Sequence, residues 1–119
     1  MSKRWNFDSS KHGRLIWSNL AIYAFSSPKF FSKEEKREYK YLFTLSLTKI
    51  SCPVCRKHSK QLLKKFPLSG TYLSGRDKLI EWLYKYHLMV NKSLKKPFVS
   101  KISYDKYWKS KIVGHSISN

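Results

Sequence analysis

Residues 77–97, DKLIEWLYKYHLMVNKSLKKP, constrain the fold more than any other stretch of this chain. Leu79, Trp82, Leu83, Tyr86, His87, Val90 and Leu94 recur at three- and four-residue intervals, the repeat of one helical face and not the alternation of a strand. The pattern predicts a helix from about Ser74 to Lys96, stopped by Pro97, whose ring cannot continue it. A face this wide and aromatic must be buried against other elements. His87 and Asn91 share a face four residues apart, and a polar group on an apolar stripe is costly without partners. They bond each other or a backbone carbonyl, or they join Trp17 and Arg14 of an earlier segment in an aromatic, polar pocket between helices.

Three more segments carry the same repeat. In HGRLIWSNLAIYAFSS, Trp17, Leu20, Ala21 and Ala24 share a face, and Pro28 lies just beyond. In SKEEKREYKYLFTLSL, Ser32 and Glu35 fit a capping box, with acidic residues at the positive helix end. Tyr39, Leu42, Phe43, Ser46, Leu47 and Ile50 then line one side. A third helix begins at the cysteines, with Pro53 at its first position and Cys52 as N-cap. Cys55, Leu62 and Phe66 form its stripe, and Pro67 ends it. The stretch PLSGTYLSG reads as a loop. A short fifth helix is predicted around residues 104–112, followed by a loose tail over 113–119. The expectation is an all-α fold: one domain over 1–119, a four-helix bundle with a short fifth helix.

The 119 residues suffice for one small core, and 41% hydrophobic with 16% aromatic content favours folding over disorder. No run reaches the roughly 20 apolar residues of a membrane span, and the basic start lacks the apolar core of a secretory signal. A cytoplasmic protein is expected. The net charge of +18 favours anionic partners. Lysine outnumbers arginine, so any nucleic-acid binding would be non-specific, lacking arginine's bidentate base readout.

The two cysteines, Cys52 and Cys55, sit in KISCPVCRKHSKQLLKKF. Zinc would need two more ligands, and His58, His87 and His115 do not form a second pair at metal-binding spacing, so no metal site is expected. Cys55 reads equally as a small buried hydrophobe. In the redox reading, Cys52 at the helix start gains thiolate character from the helix dipole and from Lys49, Arg56 and Lys57. A dithiol on an all-helical scaffold then needs a further electron acceptor, most simply a bound cofactor.

Three blocks in this order resemble the Erv/ALR family of FAD-linked sulfhydryl oxidases. GRLIWSNLA supplies Gly13, Arg14, Trp17 and Leu20; CPVC supplies the cysteine pair; EWLYKYHLMVNKSLKKP supplies Trp82, Leu83, His87, Val90, Asn91, Leu94, Lys96 and Pro97. Trp108 falls eleven residues beyond Pro97, as is typical of the family. The likeness covers about residues 12–108. Ala21, Ser27 and Leu88 depart from it, standing where the family has His, Tyr and Asn. Shuttle cysteines are absent, as in short members from large DNA viruses, for which the host cytoplasm or the virion is the expected location.

The resemblance implies FAD held between the helices of a homodimer and disulfide formation in protein dithiols, a thioredoxin-like relay protein among them, with O2 as acceptor and H2O2 as product. It implies Cys52 as the thiol that meets substrate and Cys55 as the one beside the flavin. It implies FAD contacts from Gly13, Arg14, Trp17, Cys55, His58, Tyr84, His87, Val90, Asn91, Leu94, Lys96 and Trp108. The rival expectations are a basic helical module that binds nucleic acid non-specifically and an assembly protein with a vestigial site.

Overall fold

The computed structural model describes residues 11–49 and 53–117 and, within them, all side chains but those of 11–15, 55 and 113–117. The described residues form five α-helices: α1 (Lys11–Phe25), α2 (Lys33–Thr48), α3 (Pro53–Lys65), α4 (Arg76–Ser93) and α5 (Lys101–Ile117). The expected loop before α4 contains one 3-10 turn, Gly70–Leu73. The first four helices form the expected bundle: α1 packs on α2 and α4, and α3 bridges α2 to α4. The fifth lies against α1.

The central contact is α1 on α4. Trp17, Leu20, Ala21 and Ala24 of α1 are all buried, and the two alanines let the helix backbones approach closely. Leu79, Trp82, Leu83, Tyr86 and His87 of α4 are buried as the periodicity predicts. The capping box forms at the start of α2: Glu35 N–H donates to Ser32 Oγ at 3.1 Å, and Ser32 N–H donates to Glu35 Oε1 at 2.7 Å. This helix buries Phe43 and Leu47, while Ile50 lies outside the described residues. Pro53 opens α3 and Leu62 is its buried anchor.

Three expectations are corrected at helix ends. First, α4 starts at Arg76, not Ser74, because the preceding residues are engaged elsewhere. Phe31 N–H donates to Ser74 O at 3.0 Å and Arg76 N–H donates to Pro28 O at 3.0 Å, tying this loop to the one after α1. Second, α4 ends at Ser93. Lys95 N–H donates to Lys92 O and Lys96 N–H to Asn91 O, with Lys95 at φ 57°: a Schellman stop that closes before Pro97 is reached. Leu94 therefore leaves the apolar stripe and is 50% exposed. Third, the fifth helix is not short. Ser103 N–H donates to Ser100 Oγ, capping α5 three residues ahead of the predicted start, and the helix continues through Ile117 where a loose tail was expected. Lys101 and Asp105 pair at 2.8 Å one turn apart and reinforce it.

Gly75 makes the loop clamp possible. A Cβ there would overlap the Lys29 carbonyl oxygen and lie 2.9 Å from its carbon. Gly75→Ala is expected to destabilise the protein by about 1–3 kcal/mol, the cost of overpacking against backbone that cannot yield. Urea unfolding checks this; an unchanged midpoint would show that the two loops are not held together.

Candidate functional site

The aromatic and polar face of α4 meets α1 and α5 in one cluster. Trp17 stacks on His87 with ring centroids 3.6 Å apart and planes 6° from parallel. Phe98 lies 4.7 Å from the same imidazole, and Tyr104 meets it edge-on at 5.8 Å. Tyr84 packs on both Phe98 and Tyr104 and donates its hydroxyl to Val99 O at 2.6 Å. Trp108 packs edge-on against Tyr104 with ring centroids 6.3 Å apart. His87 is fully buried, with Nδ1 3.4 Å from the Tyr104 hydroxyl. Burial lowers its pKa well below the usual histidine value, so the ring is neutral near pH 7. Burial likewise raises the Tyr104 hydroxyl, which stays protonated.

Asn91 works at the C-terminal end of α4. Its backbone oxygen receives Lys96 N–H at 2.8 Å, and its side chain donates to Pro97 O at 3.3 Å. One residue thus stops the helix and aims the chain toward α5. Lys92, Lys95 and Lys96 gather where α4 ends. Flat ring faces, a neutral imidazole and this group of cations are the kinds of groups that suit a ligand with planar rings and phosphates.

A second polar contact joins α3 to α4. Tyr86 O–H donates to Ser59 O at 3.2 Å, leaving the Ser59 hydroxyl to donate to Tyr86 Oη at 2.7 Å. Both residues are buried, and burial pushes the Tyr86 pKa up to about 12. Tyr86 also stacks on Trp82 at 4.9 Å and lies 6.2 Å from Trp17. Ser59 follows position 55 by one helical turn, so this clasp connects the helix that carries Cys55 to the helix that carries His87.

The structure places Trp17, Tyr84, His87 and Trp108 in one ring cluster, with Asn91 one turn beyond His87 on α4 and Val90 partly buried. His58 is half-exposed on α3 and takes no part in the ring contacts of the cluster. Leu94 is turned away by the Schellman stop. Cys52 lies outside the described residues, as do the side chains of Gly13, Arg14 and Cys55. Sequence reasoning missed Ser59, Phe98 and Tyr104. Ser59 was detectable, falling four residues after Cys55 and three before Leu62 on the inward stripe. Ala21, in place of the family's histidine, is fully buried against the neighbouring helices.

Comparison with known proteins gives one answer. The profile of the Erv1/Alr family matches residues 14–109. The FAD-linked sulfhydryl oxidase of African swine fever virus is 29% identical over 104 residues, covering 85% of this chain and 82% of its own. The FAD-linked sulfhydryl oxidase ERV1 of Arabidopsis thaliana is 29% identical over 84 residues, but this chain spans only 42% of that relative. The FAD-binding domain of Erv1 from Saccharomyces cerevisiae superposes with a TM-score of 0.76 at 26% identity, covering 87% of this chain and 95% of that one. These relatives lend no support to nucleic-acid binding as the chain's main function.

Two outcomes test the site's energetics. Tyr86→Phe strands the buried Ser59 hydroxyl and is expected to cost about 1–2 kcal/mol. Ser59→Ala should cost a similar amount, and the double variant less than the sum, because both remove one contact. Strict additivity in urea unfolding would mean that the contact contributes nothing. The second outcome concerns pH. Unfolded His87 takes up a proton near pH 6.5, whereas the folded ring resists until well below. Its contribution is complete above that value and is lost as pH falls through it, by up to about 1.4 kcal/mol per pH unit. Unfolding midpoints of wild type and His87→Gln between pH 7.5 and 5 should therefore converge as the pH is lowered.

Proposed function

The chain belongs to the Erv1/Alr family, and on that premise we propose that it is an FAD-dependent thiol oxidase that makes disulfides in protein dithiols through Cys52 and Cys55. The observation that carries this reading is the Ser59–Tyr86 clasp, which ties the cysteine-bearing helix to the stacked Trp17–His87 pair. The viral relative, aligned over most of both chains, supports the same activity.

The chemistry at the cysteines is thiol–disulfide exchange. A substrate thiolate attacks Cys52 of the Cys52–Cys55 disulfide, and Cys55 leaves as a thiolate. A second substrate thiolate then attacks the substrate sulfur of the mixed disulfide, releasing the oxidised substrate and the Cys52 thiolate. The start of α3, with its positive dipole end and basic neighbours, stabilises the thiolate forms. Bound FAD would supply the two-electron acceptor that returns the pair to a disulfide, with O2 as the proposed final acceptor and H2O2 as the product.

The residues present fit that cofactor. The buried, neutral His87 beside Trp17 offers an uncharged polar and aromatic surface. Tyr84 and Trp108 add aromatic rings, Val90 an apolar contact, and Lys96 a cation suited to pyrophosphate. Asn91 positions Lys96 through the turn it anchors. Gly13 and Arg14 of α1 complete the proposed set. The working form is a homodimer acting in the cytoplasm. Among the described residues no helix is long and apolar enough to cross a membrane.

Purified protein is expected to be yellow with bound FAD, to resist alkylation until reduced, and to consume O2 when given dithiothreitol. Cys52→Ser and Cys55→Ser should each retain FAD and lose turnover by more than about a hundredfold, since covalent catalysis needs both thiols. A folded protein that takes up no FAD, or a serine variant with full turnover, overturns the reading.

A further inference from the structure

The cysteine-bearing helix has an unusual charge pattern. Its 13 residues include Arg56, Lys57, Lys60, Lys64 and Lys65 and no acid. Three other helices mix signs: α2 carries Glu34, Glu35 and Glu38, α4 carries Asp77 and Glu81, and α5 carries Asp105, while α1 has no acid but only Lys11 and Arg14 as cations. On α4 and α5, Lys78 and Lys85 meet Glu81 and Lys101 meets Asp105. Lys57, Lys60, Lys64 and Lys65 are exposed and have no carboxylate within ion-pair distance among the described residues.

The needs of the helix do not account for this. Lys64 and Lys65 suit the negative C-terminal end. Lys57 sits near the positive end, where a cation is unfavourable by about 0.3–1 kcal/mol. Lys57, Lys60 and Lys64 continue the stripe that starts at Pro53, next to Cys52, and span about 10 Å along the axis. That is close to the Debye length of about 10 Å at 0.1 M salt, so one extended ligand laid along the stripe feels the three charges together. Between the two cysteines Val54 is 77% exposed, an apolar foothold beside the charges.

We propose that this face of α3 is the docking surface for the oxidase's client: a polypeptide whose dithiol is flanked by acidic residues. The inference rests on the thiol-oxidase reading and goes further by naming the class of substrate. The acidic flank lies along Lys57, Lys60 and Lys64, a small apolar side chain meets Val54, and the client thiol is thereby brought to Cys52. An acidic polypeptide fits better than nucleic acid because the cations border the residues that react with protein thiols, and because they are lysines on a single short stripe. Electrostatic steering of this kind raises encounter rates by roughly 10- to 1000-fold at low salt.

The test uses the FAD-loaded protein and three reduced synthetic peptides with the same two cysteines, flanked by glutamates, by serines or by lysines. The glutamate peptide is expected to show a kcat/KM at least about tenfold above the serine peptide at low salt, with the gap closing at high salt. Lys60→Glu/Lys64→Glu, which leaves the cysteines and the aromatic cluster untouched, should reverse the order in favour of the lysine peptide. Its turnover of dithiothreitol, a small neutral dithiol, should remain at the wild-type level. If dithiothreitol is turned over and the three peptides are oxidised equally at every salt concentration, the docking proposal is overturned while the oxidase reading stands. Tight, salt-sensitive binding of a DNA duplex without peptide discrimination overturns it in favour of a nucleic-acid face. If the wild type oxidises no thiol at all, both readings fall together.

Discussion

The rest of the structure depends on burying His87 and Asn91 on the same helical face that forms the core. A helix cannot place polar side chains among Leu79, Trp82 and Leu83 unless each finds a partner. The two residues solve this differently. His87 is surrounded by aromatic rings from α1, α5 and the turn between α4 and α5, and it stays neutral because charging it there would be costly. Asn91 spends its hydrogen bonds on the turn that ends α4, so satisfying one buried amide also redirects the chain into α5. The helix that fills the core therefore also builds the walls of the site.

The clasp between Ser59 and Tyr86 extends this logic to α3. Leucines at both positions would hold two helices together by area alone and permit small slides along the groove. A buried hydroxyl pair does not, because any slide leaves both groups unpaired at about 1–3 kcal/mol each. In a protein whose proposed chemistry needs a cysteine at a fixed depth beside a cofactor, a directional contact one turn after position 55 is a reasonable use of buried polarity. It gives α3 a register against α4, while Lys57, Lys60, Lys64 and Lys65 on the other side of α3 are exposed among the described residues.

The excess of positive charge is not spread evenly. Around Glu81 and Asp105, lysines belong to local pairs that contribute little to stability and leave a weak external field. On α3, Lys57, Lys60, Lys64 and Lys65 have no carboxylate within ion-pair distance among the described residues. This arrangement makes salt a direct probe of the proposed docking.

The sequence alone determined the helices and their inward faces. Periodicity is a local property, and the stripes through Trp17, Phe43, Leu62 and Leu83 are read without knowing what covers them. The capping box at Ser32 was equally legible, being complete within four residues. The ordered motif blocks gave the family for the same reason: each lies on a single helix. Only the tertiary structure decided where α4 stops and α5 begins, because Lys95 adopts a left-handed conformation that its residue type does not signal. Only the tertiary structure placed Phe98 and Tyr104 on His87, and Ser59 on Tyr86. The partners in these contacts lie 11, 17 and 27 residues apart in sequence. Their meeting depends on how the helices rotate and slide as the whole core closes, which no single helix encodes.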